Sequence, residues 1–275
     1  MQNSVPDILD SLGDWPVERV SAAVIDGGSV RTVGDSGRPH ALASVTKLLS
    51  AWGVLMAVEE GIFELDSEVG PRGATVRQLL SHAGGVGFAS REPERDPGTR
   101  RIYSSAGFDV LADVIAEESG MGFPEYLREG IFGPLGMDRT VLKGSAGHGA
   151  ESTVGDLVVF AREILDPTLL HPDTVEEAME VQFPDLDGIV PGYGMQKPCP
   201  WGLGFEIRGG KDPHWTGAGM PADTVGHFGQ SGTYLWAHRR TGRAMVVLTD
   251  RDFGDWAKPL WTDTNDAVWS GLAES

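Results

Sequence analysis

The chain has 275 residues, of which 40% are hydrophobic and 8% aromatic, enough for one large domain or two lobes around a substantial core. Its 40 acidic residues outnumber the 22 lysines and arginines, and the net charge of −18 argues against nucleic acid or an anionic membrane as a partner. Cys199 is the single cysteine, which excludes an intramolecular disulfide and a CxxC metal site, and the seven histidines lack the spacing of helical metal ligands. We therefore expect neither a metal nor another cofactor.

The N-terminal segment, residues 1–8, has neither the basic stretch nor the apolar run of a signal peptide, and no later stretch approaches 18 apolar residues. The sequence as it stands thus predicts a cytoplasmic chain without a membrane segment. A hairpin is predicted next, with strands Arg19–Ile25 and Ser29–Val33 around Asp26-Gly27-Gly28.

Helices and further strands fill the rest of the chain. A second hairpin combines a β-rich run at 233–237, a turn at 239–243 and an apolar strand at 244–249. Both chain ends thus supply a sheet lobe, at about 15–40 and 200–275, while about 60–190 forms a helical lobe with a cleft between the two. Apolar periodicity predicts helices at about 45–60, 75–81, 105–119, 123–130, 153–166, 171–181 and 256–272.

A serine and a lysine stand three residues apart where the first long helix begins, in Ser44-Val45-Thr46-Lys47. Residues i and i+3 share a helix face, so the Lys47 amine can reach the Ser44 hydroxyl. A lysine accepts a serine proton only if burial or nearby cations lower its pKa from about 10.4 toward neutrality, and the apolar residues that follow favour this. The alternative is that Ser44 is an ordinary helix N-cap and Lys47 reaches water.

A tyrosine precedes another predicted helix, in Tyr103-Ser104-Ser105. From such a loop the phenol can point into a cleft, where a pKa lowered by a neighbouring ammonium would let it share the base role, or where it could pass a proton to a leaving group. The alternative is a half-buried tyrosine packed on the helix, with one of the two serines as N-cap.

The third segment of interest, His227-Phe228-Gly229-Gln230-Ser231-Gly232, opens the second hairpin. Its glycines would let a substrate approach the backbone, and an edge strand can offer an N–H to an oxyanion. The alternative is an ordinary glycine-containing strand with a surface histidine. Trp201 and Trp215, in the loops that lead into this segment, would either line an acyl pocket or cover an edge of the core.

In this order the three segments resemble the serine β-lactamase and penicillin-binding protein superfamily, and within it the class C-like branch with D-alanyl-D-alanine carboxypeptidases and related esterases. That branch has S-x-x-K, Y-x-N and K-T-G or H-x-G elements, which match the segments at 44–47, 103–105 and 227–229. The flanking segments 61–66 and 75–85 are also similar, so the resemblance covers nearly the whole chain. It implies a single α+β domain over 1–275, with an antiparallel sheet lobe flanked by terminal helices, a helical lobe, and the active site in the cleft between them.

By this resemblance Ser44 is the acylated nucleophile, Lys47 its base and Tyr103 a second proton-transfer group. The backbone N–H groups of Ser44 and Gln230 would form the oxyanion hole, and His227 would face the substrate carboxylate or the leaving group. The implied function is hydrolysis of an ester or amide, including a β-lactam, through an acyl-enzyme. A carboxylesterase without β-lactamase activity, a carboxypeptidase-like protein and a non-catalytic binding protein are the alternatives. The positions expected to bind substrate or the oxyanion are Ser105, His227, Gly229 and Gln230.

Two positions depart from the family pattern. Ser105 replaces the usual Asn and has a shorter side chain with one donor, which disfavours recognition of a β-lactam or peptide amide. His227 replaces Lys, and a neutral imidazole holds a carboxylate less firmly than an ammonium does. Both departures favour uncharged esters. If His227 acts only when protonated, affinity for carboxylate substrates should fall as the pH rises past about 6.5.

Overall fold

A six-stranded antiparallel sheet that draws on both ends of the chain organises the computed structural model, which describes residues 4–273. The strands, in chain order, are β1 (Val20–Asp26), β2 (Ser29–Val33), β3 (His40–Ala41), β4 (Val141–Leu142), β5 (Ala150–Ser152), β6 (Gly188–Val190), β7 (Gly194–Gln196), β8 (Glu206–Ile207), β9 (Val225–Gly229), β10 (Thr233–His238) and β11 (Arg243–Thr249).

The helices follow the apolar periodicity of the sequence. Each predicted helix is present, although the one expected at 123–130 ends at Leu127 and continues as a wider turn to Phe132. The six-residue first helix was not predicted, because it is too short to show a helical period. The helices are α1 (Val5–Asp10), α2 (Thr46–Glu59), α3 (Val76–Leu80), α4 (Ala106–Ser119), α5 (Phe123–Leu127), α6 (Gly133–Leu135), α7 (Val154–Leu165), α8 (Pro172–Met179) and α9 (Ala257–Ala273).

The large sheet has the strand order β2-β1-β11-β10-β9-β8. Both predicted hairpins are confirmed: Asp26 pairs with Ser29 across a two-glycine turn, and His238 pairs with Arg243 across the second turn. Two small sheets, β3-β5-β4 and β6-β7, were not predicted, because strands of two or three residues carry no alternation.

Both faces of the large sheet are buried. Successive side chains of a strand point to opposite faces, so β1, β10 and β11 feed two hydrophobic clusters. One cluster joins the sheet to α2 and α7, and the other joins it to α1 and α9. The predicted α+β fold, with an antiparallel sheet flanked by the terminal helices, is therefore confirmed. Residues of the first cluster include Ala23, Leu235 and Val246, and those of the second include Val24, Trp236 and Val247.

Helix α2 is buried on nearly every side and carries the first candidate motif at its start. The ring of Trp52 meets those of Phe160 and Phe205 edge-on, with centroids 5.6 and 6.2 Å apart. Because these contacts fix α2 within the core, they also fix the position of Lys47, the second residue of the helix. None of the helices within 4–273 is long and apolar enough to cross a membrane.

Candidate active site

Ser44 lies in a short 3₁₀ turn, Ala43–Val45, that leads directly into α2. The preceding Ala43 has a φ of 44°, a left-handed conformation that is costly for a residue with a Cβ. The half-buried Ser44 faces a cavity of about 130 Å³. The predicted placement of the serine at the start of the helix is thus confirmed, and its turn is strained.

The hairpin of β9 and β10 holds this turn in place. Ser231 Oγ donates to the Ala41 carbonyl at 2.6 Å, and Thr233 Oγ1 donates to the Leu42 carbonyl at 2.9 Å. A Cβ added to Gly229 would overlap the Leu42 carbonyl oxygen and lie 3.1 Å from the Ala43 Cβ. The expectation that Gly229 admits substrate is therefore corrected: the missing side chain makes room for the turn that carries Ser44, and Gly229 is not among the residues that line the cavity.

Lys47 is completely buried, and its amine lies among oxygens. Nζ is 3.3 Å from Ser44 Oγ, 3.0 Å from Ser105 Oγ and 2.8 Å from the Gly147 carbonyl oxygen. No carboxylate within residues 4–273 forms an ion pair with it. Burial lowers the pKa of Lys47 to about 7, and the more distant Asp109 opposes that shift. A large share of Lys47 is therefore neutral at physiological pH.

The three contacts of the neutral amine can be assigned by counting donors. A carbonyl oxygen can only accept, so Gly147 takes one N–H of the amine. The second N–H and the lone pair remain for the two hydroxyls, Ser44 and Ser105, each of which can donate or accept. The geometry therefore permits the Lys47 lone pair to accept the Ser44 proton, which is what a general base requires.

Tyr103 borders the same cavity, and its hydroxyl lies 3.3 Å from His227 Nε2. Its ring lies beneath the lysine amine, with Nζ 4.6 Å from the ring centroid. Burial raises the pKa of Tyr103 well above 10, outweighing an interaction with the Ser44 hydroxyl. The expectation of a pKa lowered by the lysine is therefore wrong, because burial dominates. A neutral phenol cannot act as a phenolate base, but it can donate a proton.

His227 is 2% exposed and lies on the buried strand β9, so the alternative of a surface histidine is wrong. Its Nδ1 lies 2.7 Å from the Phe228 carbonyl oxygen, which places the ring proton on Nδ1 and leaves Nε2 to accept from the Tyr103 hydroxyl. Burial, aided by Lys47, lowers the pKa of His227 to about 3. The expected loss of carboxylate affinity near pH 6.5 is therefore corrected, since this imidazole is already neutral there.

Two positions that spacing did not reveal support the lysine. Asp109 Oδ1, on the first turn of α4, accepts from Ser145 Oγ at 2.7 Å and from the Ala146 N–H at 2.9 Å. These two hydrogen bonds hold the loop at 145–147, in which the Gly147 carbonyl accepts from Lys47. A Cβ on Gly147 would lie 2.6 Å from the Ser105 Cβ, so only glycine fits there. The one sequence signal was that Asp109 lies four residues after Ser105, on the same helix face.

The cavity beside Ser44 is predominantly aromatic. Gln230 lines it, and the Gln230 side-chain amide donates to the Phe253 carbonyl at 3.1 Å. Trp201 lines the cavity, whereas the Trp215 indole donates to Glu206 Oε2 at 2.7 Å within the core. The lining residues are Ser44, Phe88, Tyr103, Val190, Pro191, Trp201, Glu206, His227, Phe228 and Gln230.

One lining residue of this cavity, Glu206, belongs to a buried ion pair. Glu206 Oε1 lies 3.1 Å from Lys211 Nζ and 3.0 Å from His214 Nε2. Burial alone would raise the pKa of Glu206, but Lys211 and His214 keep it well below its usual range. The carboxylate is thus saturated by protein partners and adds no unpaired charge. Within 4–273 no group of His, Cys, Asp or Glu side chains is arranged to hold a metal.

A hydroxyl in contact with a buried amine, beside a cavity that a neutral phenol borders, is an arrangement that can activate a serine as a nucleophile. The family model for Beta-lactamase matches residues 17–267, so the chain belongs to the β-lactamase family, and the predicted membership is confirmed.

Three similar proteins illustrate this relationship. The crystal structure of a β-lactamase from Mycobacterium bovis is 50% identical, with a TM-score of 0.95 over 96% of this chain and 99% of that one. Penicillin-binding protein 4* of Bacillus subtilis is 25% identical over 54% of this chain and 40% of its own length. A D-aminopeptidase of Gluconobacter oxydans is 24% identical over 46% and 30%. The chain thus spans less than half the length of these two curated relatives.

Proposed function

We propose that the protein is a serine hydrolase that cleaves an ester or amide through an acyl-enzyme on Ser44. The observation that carries this proposal is the contact between the Ser44 hydroxyl and a fully buried lysine whose pKa is about 7. An ordinary lysine at neutral pH would be almost entirely protonated and unable to accept a proton. In this proposal a sheet lobe and a helical lobe form one domain, with the site between them.

The positions of the three side chains support the following acylation step. Lys47 takes the Ser44 proton as Oγ bonds to the substrate carbonyl carbon, and the carbonyl oxygen becomes an oxyanion that the backbone N–H groups of Ser44 and Gln230 stabilise. When the tetrahedral intermediate collapses, Tyr103 donates its proton to the leaving oxygen or nitrogen. The Lys47 ammonium then loses a proton and the Tyr103 phenolate gains one by exchange through water, so both groups regain their starting state.

The residues next to Ser44 favour esters that carry no charge close to the scissile bond. Neutral His227 gives no cation opposite Ser44 to hold a carboxylate, and Ser105 offers a single hydroxyl that already contacts Lys47. A β-lactam is the second candidate, favoured because the 50% identical relative from M. bovis is described as a β-lactamase. In either case the acyl-enzyme is the shared intermediate.

Turnover of 4-nitrophenyl butyrate and of a penicillin by the same preparation tests the proposal. We expect ester turnover that Ser44→Ala removes by a factor of at least about 10³, while Ser29→Ala, an exposed serine in the first hairpin, retains it. Ester turnover that survives in Ser44→Ala would contradict the proposal. Penicillin consumption without ester turnover would favour the second candidate, a β-lactam substrate, over an ester.

A further inference from the structure

A second groove adjoins the catalytic cavity and is not used in the proposed acyl transfer. It has a volume of about 370 Å³ and shares three lining residues with the cavity, Phe88, Tyr103 and Pro191. The two spaces therefore adjoin each other along these three side chains. The groove does not include His227 or Gln230.

The groove is positively charged on a strongly acidic protein. Three arginines line it, Arg95, Arg100 and Arg101, against one carboxylate, that of Glu94. None of the ion pairs within residues 4–273 includes any of the three arginines. Arg95 is exposed, and the nearest side-chain partner of Arg100 is the Met195 sulfur at 3.8 Å. On a chain with a net charge of −18, a cluster of arginines without ion-pair partners indicates a binding site for an anion.

Arg101 provides an independent observation, because it is only 3% exposed. Its terminal nitrogens donate to backbone carbonyls, including that of Gln182 at 2.7 Å, and its Nε has no hydrogen-bond partner within the described residues. Burial lowers the pKa of Arg101 to about 10, so it stays protonated at neutral pH. Carbonyl dipoles do not neutralise a formal charge, so a buried positive charge stands uncompensated behind the groove.

Beside the arginines, large apolar side chains line the groove. Phe88 is 56% exposed and Ile189 is 54% exposed, and both line the groove. The Phe88 ring stacks on Tyr103, with centroids 5.9 Å apart. Exposed large side chains of this kind mark binding surfaces when they cluster beside a cleft. A fitting molecule therefore has an apolar stretch next to its reacting carbonyl and an anionic group beyond it.

We infer that this groove binds a carboxylate at the far end of the substrate, so that the preferred substrates are half-esters or half-amides of longer dicarboxylic acids. The inference rests on the proposed function and names its substrate class. Guanidinium groups suit a carboxylate because their parallel N–H donors match its two oxygens. Neutral His227 cannot hold this charge, and the arginine groove supplies the missing recognition on the Tyr103 side of the cavity. Glu94 is the one carboxylate that lines the groove, and the substrate carboxylate competes with it for the arginines.

A matched pair of esters tests the inference: mono-4-nitrophenyl adipate, which is anionic, and its methyl ester, which is neutral. In low salt we expect kcat/KM to favour the anionic ester by at least about tenfold. The Arg95→Gln/Arg100→Gln double variant should bring that ratio close to one, while Arg95→Lys/Arg100→Lys should keep most of it. Arg31→Gln, which removes an exposed arginine from β2, is the control for a general change of charge and should leave the ratio unchanged.

The inference and the proposed function fail in different ways. Equal rates for the two esters, or a ratio that survives in the double glutamine variant, would overturn the inference while leaving the hydrolase intact. If neither ester is cleaved, calorimetric titration with monomethyl adipate and dimethyl adipate decides the inference alone. Binding of monomethyl adipate that the double variant abolishes would support it, and no binding at millimolar concentration would overturn it.

Discussion

The protonation state of Lys47 gives the most demanding prediction, because in the proposed mechanism it sets the pH dependence of acylation. With a pKa of about 7, about half of the lysine is neutral at pH 7 and about 1% at pH 5. A solvent-exposed lysine with a pKa of about 10.4 would be neutral in only about 0.04% of molecules at pH 7. Burial therefore raises the base-competent fraction by about a thousandfold.

The perturbation that tests this mechanism is Asp109→Asn. The variant keeps an acceptor for Ser145 and the Ala146 N–H, so the loop that carries Gly147 stays in place, but it removes the negative charge that favours protonated Lys47. The pKa of Lys47 should fall further. Activity should therefore persist to lower pH than in the wild type.

The assay is kcat/KM for a neutral aryl ester between pH 5 and 9, with the product quantified by chromatography so that its own ionisation does not matter. We expect the wild type to lose activity below a pKa of about 7, to about 1% of the plateau at pH 5. Asp109→Asn should shift this acid limb to lower pH, whereas the exposed Asp113→Asn on the same helix should not. An acid limb that does not move in Asp109→Asn, or moves equally in both variants, would refute the reasoning.

Three further predictions concern packing and buried charge. Gly229→Ala forces a methyl group onto the Leu42 carbonyl and should lower the free energy of unfolding by about 1–3 kcal/mol in a urea titration; a change below about 0.5 kcal/mol would contradict the packing described. Glu206→Gln leaves Lys211 buried without its anion and should cost about 3–5 kcal/mol at pH 7. The pKa of Glu206 is lower in the folded than in the unfolded protein, so its stabilising effect is complete above the unfolded pKa and is lost as the pH falls toward the folded pKa. The difference in the free energy of unfolding between wild type and Glu206→Gln should therefore shrink below about pH 4. Burial raises the pKa of the Cys199 thiol, which should react with a thiol reagent only on unfolding; rapid modification of the native protein would contradict its placement.

Local sequence was enough to predict the parts of the site that lie close together along the chain. Ser44 and Lys47 are linked by helix geometry, and the long helices and the two hairpins follow from apolar periodicity and turn residues. Tyr103 and His227 were noticed in their local segments, but only a family resemblance assigned them to one site with Ser44, because 124 residues separate two atoms that lie 3.3 Å apart.

The errors share one physical cause, which is that burial cannot be seen in a sequence. Tyr103 was expected to have a pKa lowered by a neighbouring ammonium, and His227 an ordinary pKa of about 6.5, but desolvation dominates at both positions. Gly229 was taken as space for substrate, whereas a turn nearly 190 residues earlier occupies that space. The Gly147 group that contacts Lys47 is a backbone carbonyl, which every residue type has, so the sequence does not indicate this contact.

Intact-protein mass spectrometry tests the central claim most directly, because it reports the acyl-enzyme itself. The wild type and Ser44→Ala would each be mixed with 4-nitrophenyl butyrate and with a penicillin, quenched in acid over a time course, and digested to locate any adduct. We predict a single added acyl group on the wild type, located at Ser44, with none on the variant, and its lifetime would separate turnover from trapping. An adduct at another residue, or catalytic turnover that Ser44→Ala does not abolish, would contradict the account.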